Sequence, residues 1–331
     1  MAKVLVTSRT FGRVVHSGVE LLKEHGFNIC YIDPKERPLS EEKMARIVAE
    51  QNPIAIICGT EPITPRVLGA SKDLRIVMKR GVGLDNIDLS AATELGIAVG
   101  YVPEANKEAV ADLTVALILM LVRDLWRAIK TTKSGLWLPF IGHELRAITV
   151  GVVGTGNIGT AVIQRLHGFR PRLLAYDLNP KSELMENYGV QYTSLEALLR
   201  ESDVVTLHVP LTAQTKGMIG RRELDLMKRT AFLVNTARGE IVDEIALYEY
   251  LKERRVAGAA LDVFSEEPPK YTALLQLENV IATPHIGAYT YEAMETMDLV
   301  CAETIIDFFK KQQLKPNIIN AYLIYKRNSL A

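Results

Sequence analysis

Three glycines, Gly154, Gly156 and Gly159, are spaced so that each does something a residue with a side chain cannot. Gly154 permits a tight turn, Gly156 lets a ligand come up against the backbone, and Gly159 lets the following segment pack close. If that segment is a helix, its unpaired N–H groups and its dipole attract an anion, above all a pyrophosphate. Glycines also mark ordinary turns, so the flanks decide. Upstream, Thr149, Val150, Val152 and Val153 are β-prone, and downstream Ile158, Val162, Ile163 and Leu166 recur on one helical face. Strand, G-x-G-x-x-G and helix in that order form a dinucleotide-binding fingerprint. A second strand, Arg172 to Asp177, then ends in an acid where a ribose-binding carboxylate belongs. Asp177 is expected to accept from the ribose hydroxyls of NAD and to repel the extra phosphate of NADP. The expected cofactor is NAD.

The rest of the chain must position that site. Its 331 residues are ample for two domains with separate cores. Lys plus Arg and Asp plus Glu both number 39, so no net field would draw the protein to nucleic acid or an anionic membrane. Cys30, Cys58 and Cys301 lack metal-ligand spacing and read as free thiols in a reducing compartment, with no metal expected. The start of the chain has no signal-peptide apolar core, and the run Leu113 to Val122 is too short to span a bilayer. A soluble, cytoplasmic protein is expected.

Short apolar runs alternate with helical stretches from the start. Val4–Thr7, Asn28–Ile32, Ile54–Cys58 and Arg75–Met78 read as strands, Val14–Glu24 as a helix, and Ser40 as the cap of another reaching about Glu50. One long helix is expected from Asn106 to Thr131, followed by a loop holding Gly135, Trp137 and Pro139 that reads as a subunit contact. Beyond the fingerprint, Thr193 and Glu196 suggest a capping box. Val204–Leu207, Ala231–Asn235, Gly258–Val263 and Val280–Ala282 read as further strands, and Asp243 starts a helix that ends near Arg255. Such alternation predicts an α/β protein with parallel sheets. In open parallel sheets ligands bind outside the carboxyl ends of the strands, and His208, Arg238, Asp262 and His285 all fall at such ends. The first half carries its own glycine loop, Arg80-Gly81-Val82-Gly83-Leu84-Asp85-Asn86, which lacks the third glycine. It reads either as a plain turn or as a backbone N–H nest for a small carboxylate. Lys79 and Arg80 flank it as candidate holders of an anionic substrate.

At these residues the chain resembles the D-isomer-specific 2-hydroxyacid dehydrogenase family. The resemblance is carried by RGVGLDNID (80–88), GVVGTGNIGTAV (151–162), HVPLTAQT (208–215), VNTARGEIVDE (234–244), ALDVFSEEPP (260–269) and ATPHIG (282–287), in family order. Phosphoglycerate dehydrogenases look like the nearest branch. The resemblance implies two Rossmann-like or flavodoxin-like doubly wound parallel-sheet domains with a cleft between them. Residues 1–101 with 289–331 would form a discontinuous substrate domain and 102–288 the NAD-binding domain, with 105–145 as the arm of a homodimer.

The activity implied is NAD-dependent hydride transfer at C2 of a D-2-hydroxyacid or 2-keto acid, with 3-phosphoglycerate a candidate. By carry-over, Arg238 would bind the 2-keto carboxylate and polarise the carbonyl, His285 would be the acid/base, and Glu267 rather than Glu266 would hold its imidazole. The chemistry suits these types: a guanidinium fork matches carboxylate and developing alkoxide, and imidazole moves protons near neutral pH. Expected cofactor contacts are Gly154, Gly156, Asn157, Ile158 and Asp177, then His208, Pro210, Thr215, Thr236 and Ala237, then Arg238, Asp262, His285 and Gly287. Asp262 resembles the acceptor of the nicotinamide amide, and His208 a pocket wall. Expected substrate contacts are Lys79, Arg80, Gly81, Val82, Gly83 and Arg238. Met78-Lys79-Arg80 departs from the Gly-Arg-Ala common in phosphoglycerate enzymes, Asp112 stands where the family often has Glu, and no regulatory domain of the phosphoglycerate type is expected. Two other readings share the fold: an NADH-sensing corepressor-type binding protein, and a dehydrogenase of a small anion such as formate or phosphite.

Overall fold

Aliphatic runs without polar alternation, such as Ala55-Ile-Ile-Cys58 and Val204-Val-Thr-Leu207, are buried at every position. That is how strands covered on both faces read, and it is why parallel sheets could be expected from sequence. The computed structural model describes residues 2–270 and 272–322. Met1, Tyr271 and residues 323–331, the last being the end of the expected 289–331 segment, lie outside the described residues.

The chain divides into two units, Met1–Asn106 with Tyr289–Ala331, and Lys107–Ala288. The first unit holds β1 (Ala2–Val6), β2 (Phe27–Tyr31), β3 (Ala55–Cys58), β4 (Ile76–Lys79) and β5 (Ala98–Gly100) in the order β2-β1-β3-β4-β5, all parallel. The second holds β6 (Thr149–Val153), β7 (Arg172–Tyr176), β8 (Gln191–Tyr192), β9 (Val204–Leu207), β10 (Phe232–Asn235), β11 (Gly258–Leu261) and β12 (Val280–Ala282). Their order is β12-β11-β10-β9-β6-β7-β8, again all parallel. Successive strands run outward from β6 one way to β8, and from β9 the other way to β12. The pair β6 and β9 is therefore the switch point of a doubly wound sheet. Helices cover both sheets; among them Lys107–Val122 packs against Asn157–His167 in the second unit.

Three expectations about local structure need correcting. The single helix expected over Asn106–Thr131 is two, Lys107–Val122 and Leu125–Lys133. The break falls at Asp124, whose backbone is left-handed at φ 51° and whose carboxylate accepts from Arg127 Nη1 at 2.9 Å. The cap of the Leu195–Glu201 helix is Ser194, whose Oγ accepts from Ala197 N at 3.2 Å, not Thr193. The first crossing between units lies at Asn106/Lys107 rather than after residue 101. Tyr101 N donates to Asn317 O and Val102 N to Gly81 O, which ties that stretch to the first unit. Other ends differ by a few residues: the helix expected from Val14 starts at Ser17, and Asp243 caps a helix that stops at Lys252. Among the described residues no helix is long and apolar enough to cross a membrane, and no group of three potential metal ligands occurs.

Candidate active site

The carboxyl ends of six adjacent strands of the second unit each deliver one of the expected residues. In spatial order from β12 to β7 these are His285, Asp262, Arg238, His208, the Gly154 turn and Asp177. The sequence scattered them over more than a hundred positions; the sheet lines them up along one edge.

At the switch point, the glycines do what their spacing predicted. Gly154 has φ 94°, and a Cβ there would lie 2.8 Å from the His208 backbone. A Cβ on Gly159 would lie 2.0 Å from Gly154 O, so both positions exclude a side chain. Gly156 is the opposite case: nothing stands within 4 Å of its Cβ direction. It caps the Asn157–His167 helix without a side-chain hydrogen bond, leaving that helix start to an anion. This is the cradle a dinucleotide pyrophosphate needs, and the residues present fit NAD. Asn157 is exposed and Ile158 half-buried beside it.

Asp177 is half-buried just beyond β7. Its Oδ2 accepts from Thr155 N (2.6 Å) and Thr155 Oγ1 (3.1 Å), and its Oδ1 accepts from Asn179 N (2.8 Å). Burial pushes its pKa up, but the bonds from Asn179 and Thr155 and the charge of Lys181 outweigh it and hold the carboxyl below its usual range. Lys181 escaped the sequence reading. Its Nζ donates to Thr160 Oγ1 at 3.0 Å, which places an ammonium over the first turn of the phosphate-facing helix.

At β9 and β10 the contacts are mainly internal. His208 Nε2 lies 2.9 Å from Thr206 Oγ1, its Nδ1 is buried without a partner among the described residues, and burial lowers its pKa to about 3. Pro210 O accepts from Thr215 Oγ1 at 2.6 Å, which folds that loop on itself. Thr236 is buried, with Oγ1 2.9 Å from Thr114 Oγ1. Asn235, which sequence reasoning missed, clamps the next turn: its Nδ2 donates to Arg238 O (2.8 Å) and its Oδ1 accepts from Ala237 N (3.1 Å). Arg238 is half-buried and donates from Nη1 to Ala237 O at 2.7 Å. Gly239 presses on the next loop so closely that a Cβ would stand 1.9 Å from Phe264 C.

That next loop brings Glu267 to His285. Both oxygens of Glu267 lie within hydrogen-bond distance of His285 Nδ1, at 2.9 and 2.7 Å, while Glu266 turns to Lys270. Phe264 N donates to Glu267 Oε1 at 3.3 Å. The side chains of His285 and Glu267 are 34% and 26% exposed, so the imidazole is held yet reachable by a small molecule. Asp262 is almost fully buried behind them. Its Oδ1 accepts from Thr283 Oγ1 (2.6 Å) and Ile286 N (2.9 Å), and its Oδ2 from Gly287 N (2.8 Å). Burial raises its pKa against these bonds. The carboxylate thus fixes the turn that presents His285, whose backbone is left-handed at φ 54°.

In the first unit, the loop after β4 is entered through two adjacent buried cations, Lys79 and Arg80. Lys79 Nζ donates to Gly59 O and Asn86 Oδ1, both at 2.6 Å. Arg80 is ion-paired through Nε to Asp298 and donates to Thr10 Oγ1 (2.7 Å) and Met294 O (3.3 Å). Both are expected substrate contacts, and both donate to groups of their own unit. Among the described residues, the N–H groups of Gly81, Val82 and Gly83 have no hydrogen-bond partner, and Val82 is 40% exposed. Three such donors in succession are what an anion-binding nest requires.

A doubly wound sheet with a pyrophosphate cradle, a ribose acid and a carboxylate-held histidine defines an NAD-dependent dehydrogenase. The family described as D-isomer specific 2-hydroxyacid dehydrogenase, NAD binding domain, matches residues 115–287, and the chain belongs to that family. It is 40% identical over 323 residues to a glyoxylate reductase of Thermococcus kodakarensis, covering 95% of this chain and 96% of the relative. It is 41% identical over 285 residues to a D-3-phosphoglycerate dehydrogenase of Methanocaldococcus jannaschii, covering 85% of this chain and 54% of that one. Among solved structures, it is similar to an Aquifex aeolicus D-lactate dehydrogenase complexed with NAD and lactic acid. That likeness has a TM-score of 0.82 and 33% identity, covering 96% of this chain and 98% of the other.

Proposed function

We propose that this enzyme interconverts a small, unphosphorylated 2-keto acid of the glyoxylate class and its 2-hydroxy acid. The observation that carries the reading is the commitment of both cations beside the Arg80–Asn86 loop. A phosphate dianion would have to compete with Gly59 and Asn86 for Lys79, and with Asp298 for Arg80. A lone carboxylate needs only the N–H groups of Gly81 to Gly83. The glyoxylate reductase name borne by a relative covering nearly the whole chain supports the same class, and the sensing-corepressor alternative draws no such support.

Bound NADH supplies the hydride. The chain's own residues do the rest. Arg238 binds the carbonyl side of the keto acid and stabilises the charge that develops on its oxygen. His285 gives that oxygen a proton from Nε2, while Glu267 holds Nδ1 and fixes the ring. Asp262 keeps the turn in place and offers its remaining Oδ2 capacity to the nicotinamide amide. The cofactor contacts beyond the cradle, from His208 to Gly287, belong to this same assignment. We assign the 105–145 arm to contact with a second copy, because Ile129, Leu136, Trp137, Leu138 and Ile141 are all at least half exposed there.

The test is initial-rate spectrophotometry with NADH against glyoxylate, pyruvate, hydroxypyruvate and 3-phosphohydroxypyruvate, and with NAD against formate and phosphite. Highest kcat/KM with one of the three unphosphorylated keto acids is expected. A preference for the phosphorylated acid, or for formate or phosphite, would overturn the reading.

Cofactor choice follows from Asp177. A hydrogen bond to a charged group contributes about 1.5–3 kcal/mol, so NAD should be favoured over NADP by about tenfold to a hundredfold at 1.4 kcal/mol per decade. Asp177→Ala should weaken NAD and narrow the ratio, the more so because Lys181 remains. The check is kcat/KM with each cofactor for both proteins; a wild type indifferent to the phosphate would remove Asp177 from the ribose.

A further inference from the structure

The geometry points to Lys79 and Asn86 as one positioning unit that sets the aim of the glycine loop, without either binding substrate directly. The inference rests on the reading above that Gly81 to Gly83 hold the substrate carboxylate. The two residues stand at opposite ends of the Arg80–Asn86 loop and are joined side chain to side chain, Lys79 Nζ to Asn86 Oδ1 at 2.6 Å. Both are then tied to one turn. Lys79 Nζ donates to Gly59 O at 2.6 Å, and Asn86 Nδ2 donates to Gly59 O (3.1 Å) and Glu61 O (2.5 Å). Asn86 O in turn accepts from Ile63 N at 2.8 Å.

The turn itself is fixed from beneath. Glu61 is only 6% exposed, and its Oε2 accepts from Gly59 N at 2.6 Å and Thr7 Oγ1 at 3.3 Å. Its other oxygen takes Arg37 Nη1 at 3.0 Å. Lys79 is likewise 6% exposed, and a Cβ on Gly81 would pass 3.7 Å from its Cε, so the lysine runs under the loop rather than out of it. A buried ammonium that closes a loop this way does two things. It removes the loop's freedom before substrate arrives, and it puts a positive charge behind N–H groups that must attract an anion. Because the bond has two ends, loss of either residue should have the same consequence as loss of both.

The experiment is a double-mutant cycle with Lys79→Met and Asn86→Ala, using glyoxylate at saturating NADH, with NADH affinity and thermal melting measured on each protein. Each single change should raise KM about tenfold with kcat within about threefold, and the double change should also raise it about tenfold rather than a hundredfold, as coupled sites behave. A merely structural defect would reduce the active fraction, and so kcat, and leave KM alone. Multiplicative effects, near a hundredfold in the double variant, would overturn the unit. So would a rise confined to Lys79→Met, which is the mark of direct substrate contact. If Lys79→Met does not fold, Lys79→Gln, which keeps an N–H donor, replaces it in the cycle. Gly81→Ala serves as the control on the underlying reading, since Gly81 sits at φ 154° and a side chain there strains the loop. An unchanged KM in Gly81→Ala would mean the loop does not hold the carboxylate. A raised KM there, with both Lys79→Met and Asn86→Ala normal, would leave the loop's role standing and remove only the positioning unit.

Discussion

His285→Asn should lower kcat for keto-acid reduction by about a hundredfold to ten-thousandfold while NADH binding survives, because that is the usual worth of positioned proton transfer. Asparagine is the better test than alanine. Position 285 has φ 54°, a region that asparagine tolerates and that costs alanine roughly a kilocalorie per mole. The turn around it is held by backbone bonds that the substitution spares: His285 N to Asp262 O at 2.9 Å, and Ile286 N and Gly287 N to the Asp262 carboxylate. The pyrophosphate cradle lies four strands away along the sheet edge, so NADH fluorescence titration should give a wild-type affinity. His208 cannot take over. Burial pushes its imidazole down to about 3, which disfavours the imidazolium form that a general acid needs. Glu267→Gln should fall between wild type and His285→Asn, since the ring keeps a neighbour but loses the carboxylate that grips Nδ1 from both oxygens. Turnover of His285→Asn within threefold of wild type would exclude this residue as the proton donor.

How far such a site can be read from sequence depends on whether its determinants are local. The strands were legible because burial on both faces forces unbroken aliphatic runs, and the cradle was legible because each glycine has its own steric reason. The break after Val122 was not. Apolar residues continue through Leu125 and Trp126 at helical spacing, and what stops the helix is the left-handed backbone of Asp124, a conformation that many residue types can be driven into. Thr193 and Ser194 are adjacent and equally able to cap, so only the chain's path chooses between them. Glu266 and Glu267 are likewise adjacent and alike in type, and only the path of the loop puts one beside Lys270 and the other beside His285. Lys79 and Arg80 show the deeper limit. As letters beside a glycine loop they look like anion ligands, yet Arg80 pairs with a carboxylate 218 positions away on the helix Tyr291–Ile306. No local pattern announces a partner at that distance. Lys181 is illegible for the converse reason: it lies four residues past Asp177 in sequence, and only Thr160, on another element, brings it back to the site.

Arg238→Lys should cost about a hundredfold to a thousandfold in kcat/KM for the keto acid, the loss typical when a preorganised donor to a developing oxyanion is removed. The substitution keeps the charge and removes the planar fork, so it separates electrostatics from geometry. A point charge can attract a carboxylate, but it cannot donate along two parallel directions to the carboxylate and the carbonyl oxygen at once. The scaffold under residue 238 does not depend on its side chain. Asn235 holds its carbonyl, Ala237 N is held by the same asparagine, and Gly239 is locked against Phe264. A lysine there should therefore leave the loop, the melting temperature and NADH affinity as they were. Wild-type Arg238 is also oriented by its own turn, Nη1 to Ala237 O at 2.7 Å, and a lysine ammonium has no second arm to keep that bond while reaching outward. The loss should appear in kcat as well as KM, because the charge on the substrate oxygen is largest in the transition state. Oxamate, which carries the carboxylate and an amide carbonyl but accepts no hydride, should bind the variant more weakly by a smaller factor than the loss in kcat/KM. Equal factors would mean that Arg238 only binds; an unchanged kcat/KM would mean that the substrate is held elsewhere.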